Sequence, residues 1–247
     1  MTPTNIPFSS SYEKYLHEVE KYILTLCEPV AKKIWRIEKS TRIFTEKLYG
    51  YLPTASKMTW PVLKPNYNLN LTRLIPFHEA YSYNITDAII YFYIDDRLFL
   101  RIFTNPEKYL PFLKRCYAVI GPDVSQYTDM PAEMRYRHAW CNTTMSAYLQ
   151  ESGVNLYSNI TWSKGDSYSY SFPRNLLNSV IAINSNGVHK SDLSLYRWKN
   201  GYRIALQTLL PLHIIRFGQI VEGECTSISS YFSNERLNML RNGSKRK

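Results

Sequence analysis

Asp95, Asp96 and Asp123 are the residues of this chain best placed to do chemistry. Each follows a short apolar run, Asp95 and Asp96 directly and Asp123 through Gly121-Pro122. Carboxylates gathered on one rim can hold a divalent metal through hard oxygens. They can also act as a general acid and a general base where burial separates their proton affinities. The plainer reading is that all three cap the helices and close the loops that follow. Six further polar or aromatic residues accompany them as candidate ligand-binding groups: Tyr127, Asp129, Asn142, Trp162, Asp166 and Asn184. No metal or other cofactor is specified by spacing, and a divalent cation is the one that the aspartates would suit.

The elements that must position these residues are short strands alternating with helices. Residues 88–94, 117–120, 154–157, 179–184 and 212–217 are apolar, β-branched or aromatic runs of strand length. Residues 106–115, 131–152 and 191–210 read as helices, the first with Asn105 as N-cap and Pro106 at its first position. Near-continuous hydrophobic strands alternating with helices imply a parallel sheet. The expected fold class is therefore α/β, with about five βα units forming an open or partial-barrel-like sheet. In such sheets ligands bind at the carboxyl ends of the strands, where the aspartates fall.

Around that domain, taken as residues 51–235, lie two extensions. Residues 1–50 carry a helical stripe, Tyr12, Leu16, Val19, Ile23, Leu26, Val30, Ile34 and Ile37, opened by a Ser10/Glu13 capping box and interrupted at Pro29. The stripe packs on the main domain or, on a sharper reading, residues 11–49 form a partner or homo-oligomer helix. Residues 50–76, with four prolines, read as an irregular connector. Ser167-Tyr-Ser-Tyr-Ser-Phe172 alternates polar and aromatic residues and reads as an edge strand, with stacking faces for a base or ring as the alternative.

Charge separates the extensions from the domain. The 247 residues carry a formal charge of +10. Residues 236–247 contribute +5 of it through Arg236, Arg241, Lys245, Arg246 and Lys247, with no acid. Such a tail touches nucleic-acid phosphates through salt-sensitive contacts, or simply keeps the chain solvated. The middle of the chain is close to neutral, so a basic binding face is not implied there.

Several chemistries are excluded by motif. There is no phosphate-binding glycine loop, dinucleotide fingerprint, G-x-S-x-G elbow or H-E-x-x-H pair. The four cysteines show no zinc or redox spacing, and the five histidines are isolated. His138 could face the rim with Cys141 beside it, although packing is the default for both. No apolar run approaches membrane-spanning length and no secretory signal opens the chain, so a cytoplasmic protein without a membrane partner is expected.

Several of these stretches also resemble a known group. Phe92-Tyr-Ile-Asp-Asp-Arg-Leu-Phe99, Asn105-Pro-Glu-Lys-Tyr109, Gly121-Pro-Asp-Val-Ser-Gln-Tyr-Thr-Asp-Met-Pro131 and Ile160-Thr-Trp162 are similar, in order, to motifs of the domain of unknown function 4417 family. Ser179-Val-Ile-Ala-Ile183, Gly187 and Arg216-Phe-Gly218 continue the series. The resemblance covers residues 60–220 and implies a protein of phages, plasmids and other mobile elements, with no assigned activity. A role on or near nucleic acid, for example in replication, is what those carriers and the basic tail suggest. An α/β enzyme using the aspartates on a small or phosphorylated ligand is the alternative, and a helical interaction module a third. Members usually show Asn-x-Tyr-Arg-x-Arg where this chain has His138-Ala-Trp-Cys-Asn-Thr143, so Cys141 and Thr143 replace both arginines. An anion held by those arginines in relatives would be lost or altered here.

Overall fold

The computed structural model describes residues 54–55, 60–172 and 176–232, and the statements that follow concern those residues. The expected N-terminal helices and the basic tail lie outside them. After a two-residue antiparallel pair, β1 (Thr54–Ala55) and β2 (Trp60–Pro61), seven strands form one sheet. They are β3 (Arg73–Pro76), β4 (Ala88–Tyr91), β5 (Ala118–Ile120), β6 (Leu156–Asn159), β7 (Val180–Asn184), β8 (His213–Phe217) and β9 (Ser229–Phe232). Every neighbouring pair from β3 to β9 is parallel, and spatial order equals chain order.

The α/β class and the parallel sheet are as expected, but the strands number seven rather than five. Both missed strands are edges. Sequence reading left β3 inside the proline-rich connector, and its last residue is Pro76. Pro is tolerated at an edge, where its missing N–H has no ladder partner to lose. β9 reads Ser-Ser-Tyr-Phe and buries only Phe232, because an edge strand has one unpaired side and little apolar pattern to show.

Unidirectional winding puts all crossovers on one face. The five helices are α1 (Arg101–Thr104), α2 (Pro106–Leu113), α3 (Ala132–Glu151), α4 (Tyr168–Ser171) and α5 (Asp192–Leu209). The caps match the sequence signals: Asn105 accepts from the Lys108 N–H and Ser191 from the Ser194 N–H. Ile90, Phe92, Val119 and Leu156 pack with α1, α2 and α3, while Ile181, Ile183 and Ile214 pack with α5. The alternate residues Ile89, Tyr91, Tyr93, Ile120, Tyr157, Ala182, Ile215 and Phe217 form a third cluster made without any helix.

That inner face closes on itself. Three strands separate β4 from β8, which in a flat sheet puts them about 19 Å apart. Yet the rings of Tyr91 and Phe217 lie 4.7 Å apart and those of Tyr93 and Phe217 5.1 Å apart. The sheet is therefore curled into a half-barrel, the partial-barrel form of the two expected.

The Tyr-rich segment is corrected as well. Residues Gly165–Ser167 form a 3-10 turn that runs into α4, so the segment is helical and not an edge strand. Its alternation is incidental to packing: Tyr168 stacks on Phe172 at 5.5 Å and Tyr170 on Trp60 at 6.0 Å. The Ser167 hydroxyl donates to the Lys164 carbonyl and accepts from the Ser163 N–H, which fixes the turn.

Arg216, on the outer face of β8, is fully buried, and its guanidinium is completely satisfied. Nε and Nη2 donate to Glu224 at 2.7 and 2.5 Å, Nη1 to the Ile183 and Phe217 carbonyls, and Nη2 also to the Gln219 carbonyl. This pins the loop after β8 to β7. Removing one partner of a buried pair leaves an uncompensated charge, whereas removing both does not. Glu224→Ala should therefore lower unfolding free energy by about 3–5 kcal/mol, and Arg216→Met with Glu224→Met by clearly less, as measured by urea denaturation.

Candidate functional site

The inner-facing residues at the carboxyl ends of β4 to β7 form a polar layer above the aromatic floor. Strand alternation brings Tyr93, Asn159 and Asn184 to the same face as Tyr91, Tyr157 and Ala182. Above them opens a cavity of about 580 Å³, within the range of small-ligand sites. All three predicted aspartates border it, as do Tyr127, Trp162 and Asn184.

The three aspartates have different surroundings. Asp95 is spent locally: it accepts from the Arg97 backbone N–H and forms a two-point pair with the Arg97 guanidinium at 3.0 and 2.9 Å. That is the capping role. Asp96 is 1% exposed and accepts from the Ser125 hydroxyl at 3.1 Å, which ties the β4 loop to the β5 loop.

Asp123 is the one surrounded by neutral groups. Its carboxylate accepts from the Asn159 amide at 3.1 Å and is hydrogen-bonded by the Asn184 and Thr161 side chains. Burial pushes its pKa above the usual carboxylate value, and those hydrogen bonds offset only part of the effect. Tyr93 donates to the Asn159 oxygen at 2.9 Å, so Asn159 bridges phenol and carboxyl. Burial raises the Tyr93 pKa too, with the nearby Asp123 charge adding to it. A half-buried carboxyl with raised proton affinity at a cavity wall is suited to giving and taking a proton.

The remaining predicted residues lie elsewhere. Asn142, on α3, accepts from the Val124 N–H at 2.8 Å and donates to the Val124 carbonyl at 3.2 Å. It clamps the backbone beside Asp123 and does not border the cavity. Asp166 pairs with the buried Arg135 of α3, which also donates to the Met130 carbonyl. Asp129 is exposed on the turn before α3. His138 is buried, with Nδ1 on the Ser125 carbonyl at 2.7 Å, and so supports the β5 loop from behind. Cys141 is buried in the core, the packing role expected by default. Among the described residues no three His, Cys, Asp or Glu side chains gather closely enough to hold a metal ion. Among the described residues the aspartates thus share a rim without forming a cluster of three carboxylates. The predicted nucleic-acid contacts, Arg236, Arg241, Lys245, Arg246 and Lys247, lie outside the described residues.

Sequence reading missed Tyr93, Asn159 and Thr161. A signal for the first two exists: each stands two residues beyond an inner-facing strand residue, Tyr91 and Tyr157, and so continues the inner face.

The family profile for the domain of unknown function DUF4417 matches residues 52–231. The chain belongs to that family. The matched span encloses all seven strands of the half-barrel except the final residue of β9. Among curated proteins, the Gene 1 protein of Mycobacterium phage L5 is 27% identical over 150 residues, 59% of this chain, and the Gene 1 protein of Mycobacterium phage D29 is 26% identical over 175 residues, 68% of this chain. Each match spans 63% of the relative's own length. No solved structure matches. Among the described residues no helix is long and apolar enough to cross a membrane.

The cavity's aromatic wall depends on a glycine of this family domain. Trp162 lies against α5 at Gly201, where an added Cβ would sit 2.0 Å from the indole Nε1. Trp162 also packs on Trp198 and Phe172, each at 5.8 Å between rings, so it has little room to retreat. Gly201→Ala should destabilise the fold by about 1–3 kcal/mol through overpacking. Combining it with Trp162→Ala should cost less than the two separate losses added together, a non-additivity that a double-mutant cycle in urea would measure.

Proposed function

We propose that this phage-family protein is an enzyme that binds a small polar ligand in the half-barrel mouth and transfers a proton at Asp123. The observation that carries this reading is the Asp123 carboxyl itself, bordering the cavity with only neutral donors, Asn159, Asn184 and Thr161, hydrogen-bonded to it. A carboxyl serving only as a loop cap is more cheaply kept in water or beside a cation, as Asp95 is. Asn159 and Asn184 orient the group, Asn142 holds its loop, and Tyr93 extends the hydrogen-bonded chain.

The raised proton affinity has a direct consequence for stability. A carboxyl whose folded pKa exceeds its unfolded value of about 3.9 contributes stability that is complete below that pH. The contribution is lost as pH rises through the folded pKa. Asp123→Asn removes the titration, so the stability of the natural chain relative to the variant should fall from pH 4 to pH 8 in urea denaturation. A difference that is constant or grows with pH would remove the basis for Asp123 as a proton-transfer group.

A second reading rests on the sequence of residues 236–247, which carry five basic side chains and no acid. On this reading the family's phage setting reflects binding to nucleic acid through the tail. Deleting residues 236–247 should then abolish binding to single- and double-stranded DNA at low salt. Affinity of the full chain should fall steeply between about 50 and 200 mM salt. Retention of binding without the tail would move the interface to the domain.

A further inference from the structure

We infer that a small cavity behind Asp123 is the binding site of one tightly held water molecule, which bridges Ser171 to Thr161 and so keeps the Thr161 hydroxyl on the carboxyl. This goes beyond the reading of the mouth and stands whether or not Asp123 transfers a proton. Size, polarity and the accounting of hydroxyl hydrogens converge on water.

The cavity has a volume of about 30 Å³ and is bordered by residues of α3, α4 and the end of β6. A water molecule needs about 10–15 Å³ of such space together with polar partners. Leu63 and Ile160, both buried, flank the space and shield its contents from bulk water. Thr161 borders both this cavity and the mouth. An event at the back can therefore reach Asp123 without passing through the space for a ligand.

Ser171 supplies the deciding observation. It is the last residue of α4, borders the cavity and is 8% exposed. Its Oγ meets no hydrogen-bond partner among the described residues. A hydroxyl enclosed in this way keeps the whole cost of its lost hydration unless something small bonds to it. The neighbouring hydroxyls have the opposite need. Thr143 gives its hydrogen to the Ala139 carbonyl, and Thr161 gives its hydrogen to Asp123. Each has spent its one hydrogen and keeps an oxygen that can still accept.

The molecule that suits this wall accepts one hydrogen and gives two. Water does both at this size. An anion would find one unspent hydrogen where it needs several, and a cation would leave the Ser171 hydrogen without an acceptor. With a water hydrogen on the Thr161 oxygen, the Thr161 hydrogen stays directed at the carboxylate, and linked hydrogen bonds polarise one another. Ser171 is thus a positioning residue for Asp123, acting through the water and Thr161.

The test uses the full 247-residue chain. Magnetic relaxation dispersion of isotope-enriched water oxygen reports water molecules held far longer than those of the surface. Ser171→Val removes the hydroxyl and fills the space, so it should lower the dispersion amplitude by the share of one long-lived water. An amplitude equal to that of the natural chain overturns the inference. Because Ser171→Val could fail to fold, a double-mutant cycle of Ser171→Ala and Thr161→Val in urea is the second measurement. No hydrogen bond joins the two hydroxyls directly, so a bridging water should make their losses less than additive. Additive losses overturn the bridge. The third readout is the titration of the Asp123 carboxyl carbon, followed by NMR, which should move to higher pH in Ser171→Ala. Ser171 is not among the groups bonded to Asp123, so it can act there only through the water and Thr161. A titration that does not move overturns the positioning role.

Discussion

The contact of Tyr91 and Tyr93 with Phe217 across the inside of the curled sheet is the interaction on which the rest depends. Among the described residues, seven parallel strands laid down in chain order send the helices to one face, and the residues of the other face pack on one another across the curl. An apolar sheet face cannot be left in water, so the sheet bends until its distant strands meet. Large aromatic residues suit this task because each spans more of the gap than an aliphatic chain could. The curl then converges the loops after β4, β5, β6 and β7 on one mouth. An open flat sheet of the same strands would spread Tyr93 and Asn184 apart and give no enclosed site.

The site is the upper end of that same inner face, where the apolar pattern turns polar. Tyr157 is an inner-face core residue, and two positions later Asn159 meets Asp123 and Tyr93 instead. Ala182 and Asn184 repeat the change on the neighbouring strand. The outer face supports the arrangement from behind. Asn142 and His138 on α3 hold the β5 loop, and Arg216 with Glu224 fixes the loop after β8. These contacts hold the half-buried carboxyl in a setting that raises its proton affinity.

Much of this was legible in the sequence, for physical reasons that differ by element. The central strands β4, β7 and β8 are buried on both faces, and their continuous apolar runs announced them. The edges β3 and β9 carry no such run, and α4 is too short for a helical period to show against its Ser-Tyr alternation. The rim rule brought Asp95, Asp96, Asp123, Tyr127, Trp162 and Asn184 to one cavity. It could not separate them by role, because a cap and the proposed proton-transfer group are the same residue type at the same place. Arg97 two residues on was the sign that Asp95 is a cap, and no local sign marks Asp123, whose partners come from two other segments of chain, the ends of β6 and β7. Asn142 and Asp166 were placed at the ligand because they are polar and near the motifs. Backbone loops also need side-chain partners, and these residues serve that need.

Cys141 and Thr143 on α3, where the family resemblance implies arginines, bear on the same carboxyl. Cys141 is enclosed in the outer core among Met145, Leu149 and Phe103, where a guanidinium would need a buried partner. Thr143 donates to the Ala139 carbonyl and borders a cavity of about 30 Å³ shared with Asn159 and Thr161, two of the three groups that bond Asp123. A cation reaching into that space would stand behind the carboxyl and favour its charged form. With Thr143 there, the space behind Asp123 is small and neutral, and desolvation governs its proton affinity.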